Sequence, residues 1–163
     1  SEVLLMKRGS TLFLKIAVFL IGVIVLSLCI FFLPWLANDT AEMFPEFAFL
    51  QYPVLLGLYV TTIPFFVALY QAIRLLKLID NEDAFSESSV NSLNLIKYCA
   101  ITISILYVIG SILLMSQSAL HPGIAIIGFI IIFASVVIAV FAGVLQKLLR
   151  NALDIKSEND LTV

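Results

Sequence analysis

GIAIIGFIIIFASVVIAVFAGVL, residues 123–145, contains no charged, amide or imidazole side chain and ends against Gln146 and Lys147. As a helix rising about 1.5 Å per residue, such a run crosses the roughly 30 Å hydrocarbon core of a bilayer. Three earlier runs, 12–36, 54–76 and 97–116, are also mainly apolar, with Lys15, Gln71, Arg74 and Lys97 confined to their end regions. The chain is 62% hydrophobic and 12% charged. Soluble domains lie near 45–50% and about 25%. The expected fold is therefore all-α, an integral membrane four-helix bundle running up-down-up-down. A single domain over residues 6–156 follows, because no stretch between the runs is long enough for a second core. Residues 1–5 are set aside as an upstream start or expression remnant, and 157–163 are expected to form a flexible tail.

The charges orient these spans. All nine Lys and Arg residues lie on one side of the layout. Lys7, Arg8 and Lys15 precede or enter the first run, Arg74, Lys77 and Lys97 flank the middle link, and Lys147, Arg150 and Lys156 follow the last. The positive-inside rule then places both termini and the middle link in the cytoplasm. The acidic first link, with Asp39, Glu42 and Glu46, and the short link at His121 lie outside. Basic residues at the inner ends of spans fit topology and anionic headgroups, and they give no sign of direct nucleic-acid binding.

Lys7 and Arg8 ahead of an apolar run resemble the start of a signal peptide, but the run is longer than a signal's roughly 7–15 apolar residues and lacks a small-x-small exit site. An intact N-terminal helix is expected. Leu28 before Cys29 makes a poor lipoprotein site. Cys29 and Cys99 fall at opposite depths and cannot form a disulfide within the chain.

Punctuation fits the spans. Ser10 suits an N-cap for the first helix, and Pro34 with Asn38, Asp39 and Thr40 is expected to close it. Trp35, Phe44, Phe47, Phe49 and Tyr52 place the first link at headgroup level. Pro64 removes a backbone hydrogen bond to Val60 and should kink the second span, with Thr61 and Thr62 bonding nearby backbone. In the middle link Ser86 is positioned to cap the third helix, with Phe85 stapled against Val90. The second, third and fourth helices should extend into the cytoplasm, with Asp80 to Ala84 as a tight turn. Asp80, Glu82 and Asp83 lack the glycine and the terminal glutamate of a calcium loop.

The centres of the spans hold no Asp, Glu, Lys, Arg or His, the groups that proton relays and ion pathways use. No catalytic, metal or cofactor site is expected, and the chain reads as a non-enzyme. Small and weakly polar residues recur at helical spacing instead. Thr61 and Pro64 on the second span and Ser104, Tyr107 and Ser111 on the third are candidates for a midplane pocket. Ser135, Ala139 and Gly143 on the fourth could pack within the chain or form a homo-oligomer, because small residues let helices approach closely in lipid.

The segment Tyr70-Gln-x-x-Arg-Leu-Leu-Lys-Leu-Ile79, followed by Ala84-Phe-Ser-x-x-Ser-Val-x-x-Leu-x-x-Ile-Lys97, resembles a bacterial four-span membrane family, domain of unknown function 2975, the YoaS-like proteins. Its specific part is the middle hairpin, carried by Phe85, Ser86, Ser89, Val90, Leu93 and Ile96. The resemblance implies an inner-membrane protein without established catalysis, and genomic association with a small helix-turn-helix regulator. The expected function is a sensor or regulatory scaffold that contacts a cytoplasmic partner through the hairpin 78–97, with Phe85, Ser86, Ser89, Val90 and Leu93 as candidate contacts. The alternative is a small-molecule or lipid-binding exporter or immunity-type protein using the midplane pocket.

Overall fold

Apolar sequence in four long blocks produces four long helices, and the computed structural model describes them over residues 2–161. α1 (Glu2–Ser27) passes through a π-helical turn (Leu28–Phe32) into α2 (Leu33–Met43). A 3-10 turn (Pro45–Leu50) leads into α3 (Gln51–Asp80). α4 (Glu87–Ser116) and α5 (Pro122–Leu161) follow. The stretches Glu2–Met43, Pro45–Asp80, Glu87–Ser116 and Pro122–Leu161 are each long and apolar enough to cross a membrane. No strand occurs among the described residues.

Cross-helix contacts give an antiparallel register. Thr11 and Lys15 of α1 meet Asp80 at the end of α3, and Cys29 meets Tyr59 near its start. Thr61 meets Tyr107 across α3 and α4, and Asn94 meets Gln146 across α4 and α5. The helices thus run up-down-up-down, each against its sequence neighbour. α1 packs on α3, α3 on α4, and α4 on α5, while the edge helices α1 and α5 do not pack together. The bundle is open along that side.

Three boundaries differ from the sequence expectation. Pro34 does not end the first helix. It stands in the first turn of α2, where a missing N–H is least disruptive, and the widened turn before it absorbs the ring. Residues 2–5 belong to α1, so Ser10 lies inside the helix and does not cap it, and α5 stays helical through Leu161, so residues 157–161 of the expected tail are helix. The last two residues of that tail, 162 and 163, lie outside the described residues. Pro64 is accommodated inside α3, where the Thr61 and Thr62 hydroxyls donate to the Leu58 and Tyr59 carbonyls at 2.6 Å each.

The buried residues concentrate at the end of the bundle that carries the basic residues. Ser89, Val90, Ser92 and Leu93 lie there on the first turns of α4, with Leu76 opposite on α3. Farther along, Ala100 and Ser104 on α4 and Ser135, Ala139 and Ala142 on α5 are buried where those helices approach closely.

Candidate functional site: the interlocked hairpin at the basic end

α3 ends in a Schellman motif, which satisfies the carbonyls that a helix terminus leaves open. The Glu82 N–H donates to the Ile79 carbonyl at 3.2 Å and the Asp83 N–H to the Leu78 carbonyl at 2.8 Å. This geometry puts Glu82 at φ 59°, the left-handed region that glycine occupies more easily. Ser118 plays the same part after α4, at φ 55°.

The chain then turns directly into α4. Ser86 is extended (φ −147°, ψ 162°), and its hydroxyl oxygen accepts from the Ser89 N–H at 3.3 Å. The same hydroxyl donates to the Asp83 carbonyl at 2.8 Å, so one serine ties the turn to the helix it starts. The expected cap is present, and the two residues of the expected staple differ in burial. Val90 is 2% exposed and Phe85 is 63% exposed. Val90 is covered by the packed helices, while Phe85 projects from the tip. The five candidate contacts therefore divide: Ser89 (0%), Val90 and Leu93 (6%) are core, Ser86 is half-buried, and Phe85 is the accessible one.

Polar contacts fasten this end to the flanking helices. The Lys15 ammonium and the Thr11 hydroxyl both donate to the Asp80 carboxylate. Asp80 lies beyond the apolar segment 54–76, and these two donors hold its carboxyl below the ordinary carboxylate range. Arg150 on α5 pairs with Glu87 at the start of α4. The Gln146 Nε2 donates to Asn94 Oδ1 at 3.1 Å. The Lys97 stem lies over Gly143, where a Cβ would stand 3.4 Å from its Cδ, and its ammonium sits 4.8 Å from the Tyr98 ring centroid.

The midplane candidates also divide. Thr61 Oγ1 lies 3.4 Å from the Tyr107 hydroxyl, as antiparallel neighbours of similar depth should. Pro64 is half-buried beside them. Ser104 is buried but donates to the Ala100 carbonyl of its own helix at 3.0 Å. Ser111 faces α5, with its Oγ 3.6 Å from the place a Cβ on Gly128 would take. Surface grooves lie elsewhere, at Glu87 with the end of α5 and at Gly9 on α1. Ser135 and Ala139 are buried and Gly143 half-buried against α4, so that stripe packs within the chain.

One contact was not anticipated from the sequence. In the π turn the Leu33 N–H donates to the Leu28 carbonyl, five residues back, and Pro34 has no N–H to offer. The Cys29 carbonyl is thereby left without its helical donor. The Tyr59 hydroxyl fills the place at 2.7 Å. The legible signal was Pro34 itself, since a proline within a membrane helix leaves an upstream carbonyl in need of a partner.

His121 is exposed, and its Nδ1 accepts from the Gly123 N–H at 3.0 Å, which makes it a cap for α5. Among the described residues no group of three or more His, Cys, Asp or Glu side chains could hold a metal ion.

Residues 35–163 match the family model described as protein of unknown function, DUF2975. A relative from Bacillus subtilis (strain 168), bearing the description uncharacterized membrane protein YoaS, is 59% identical over 160 residues, 97% of this chain and 100% of its own length. No solved structure matches. Four spans, a helical hairpin interlocked at the basic end and this extent of identity agree: the chain belongs to the DUF2975 family.

Proposed function

We propose that the chain is a non-enzymatic scaffold or sensor of the bacterial inner membrane, with both termini and the hairpin 78–97 in the cytoplasm, and that the hairpin contacts a partner protein. The single observation that carries this reading is Phe85, 63% exposed at the tip of a turn fixed on both sides by a Schellman motif and a serine cap. A large aromatic held rigidly in water costs little further ordering when it enters a partner's pocket, which is how interface anchors act. The orientation is supported by the nine cations at that end. The partner suggested by the family resemblance is a small helix-turn-helix regulator of the kind often encoded beside such proteins.

Phe85→Ala should abolish co-purification with that regulator while leaving the thermal midpoint of the membrane protein unchanged. Retained co-purification would remove the hairpin from the interface. Phe85→Cys, labelled by an impermeant maleimide only after the inner membrane is opened, would confirm the side; labelling in spheroplasts with the membrane intact would reverse it.

The exporter or immunity-type reading at the α3–α4 seam is supported by the Thr61 and Tyr107 hydroxyl pair. Tyr107→Phe should then weaken binding of an amphipathic compound. Unchanged binding and stability would leave that seam as packing alone.

A further inference from the structure

Two arms rise from the basic end, one from each edge of the open row. Thr11 and Arg150 each meet the base of the hairpin, at Asp80 and Glu87. One helical turn farther out, Lys7 and Arg8 on α1 stand level with Asp154 on α5. Residues 2–10 extend about 13 Å past Thr11 and residues 151–161 about 16 Å past Arg150, at roughly 1.5 Å per residue. Both arms lie outside the span-length apolar runs, yet both expose large apolar side chains: Val3, Leu5 and Met6 on α1, and Ile155 and Leu161 on α5.

The arms differ in charge. The α1 arm carries Lys7 and Arg8 with Glu2, whereas the α5 arm carries Asp154, Glu158 and Asp160 with Lys156. The α5 arm also forms one wall of a groove against the start of α4, lined by three carboxylates (Glu87, Asp154 and Asp160), one cation (Lys156), Ser157 and the apolar Leu153 and Leu161, so that its net charge is negative. No α1 residue lines it, because α1 packs on the far side of α3.

We propose that a second copy of this chain fills that groove with the N-terminal arm of its α1. A basic, apolar helix would lie against an acidic, apolar groove at the same height above the same membrane face, so neither copy has to tilt or invert. The contact joins unlike edges, α5 of one copy and α1 of the next. It is head-to-tail and builds a ring when the rotation closes. The stripe of Ser135, Ala139 and Gly143 is not needed, since it is already packed against α4.

Cross-linking in native membranes tests this. With Cys29 and Cys99 replaced by Ala, Met6→Cys and Ser157→Cys are carried on two differently tagged full-length copies, co-expressed and treated with a short bis-maleimide. The expected product is a mixed dimer, with neither variant cross-linking to itself and with a ladder of higher species when both cysteines are in one chain. Lys7→Glu with Arg8→Glu on the first copy should abolish the mixed dimer, and Asp154→Lys with Asp160→Lys on the second should restore it. All four charged positions are at the surface or half-exposed, and unchanged thermal midpoints would show that the variants fold. The proposal is overturned by absence of the mixed dimer in folded protein, by self-cross-linking of either single variant at equal yield, or by a cross-link confined to the monomer band when both cysteines share a chain.

Discussion

α1 and α5 are the two edge helices of the same row, but they are attached in different ways. α5 presents Ser135, Ala139, Ala142 and Gly143 to α4, and their small side chains let the two backbones approach along the length of the contact. Gln146 and Arg150 then extend the attachment beyond the span. α1 faces α3 with Gly22 against Leu69 and Phe66, and Thr11 is its one buried residue. It is held mainly near its two ends, by Lys15 and Thr11 on Asp80 and by Tyr59 on the Cys29 carbonyl. In lipid, apolarity gives no preference for a neighbouring helix over an acyl chain, so closeness of approach decides how tightly a helix is held. α3, α4 and α5 therefore form the core, and α1 is a latched satellite. The family model's match, which begins at residue 35, covers that core and leaves out α1.

The largest expected effect would come from breaking the core. Leu93→Ala removes a side chain that is 6% exposed and should cost about 2–5 kcal/mol. Thermal unfolding in nanodiscs should show it as a lower midpoint with faster hydrogen exchange in α3, α4 and α5 together. An effect confined to α4 would mean that the three helices are not one cooperative unit.

A smaller effect should isolate α1. Tyr59→Phe leaves the Cys29 carbonyl without its donor and should cost about 1–2 kcal/mol. Hydrogen exchange should quicken across the π turn and α2 while the core keeps its protection. Equal acceleration in α4 would erase the distinction between satellite and core.

A gain of about 0.5–1 kcal/mol is expected for Glu82→Gly, which relieves the left-handed conformation at φ 59° without disturbing the motif. Unchanged stability would show that the turn is already relaxed.

The weakest expected effect is at the Asp80 latch, which is partly exposed and screened by salt. Its carboxyl is lowered by Lys15 and Thr11. The contribution is therefore present above the unfolded carboxyl's pKa and fades as pH falls through the lower folded value. Asp80→Asn should remove that acid dependence of exchange in the first half of α1. A persistent dependence would assign it to another group.

Much of this was open to reading in one dimension, for local reasons. The apolar blocks fixed the number of spans, and nine cations at one end of four spans carry the proposed orientation. The Ser86 cap was legible because a cap is decided within four residues. The Thr61 and Tyr107 contact followed from antiparallel register alone. By contrast, Ser111 faces α5, Val90 is buried while its neighbour Phe85 is exposed, and Pro34 continues a helix because a tyrosine on another helix receives the freed carbonyl. Each depends on which surface lies opposite, and helical spacing fixes a face without naming its neighbour. The sequence by itself determined that there are four membrane helices and where the cap of α4 lies, since both follow from apolar length and short-range chemistry. Only the tertiary structure decided that three helices form a core and the fourth is latched to its edge, because that depends on how closely specific surfaces can approach.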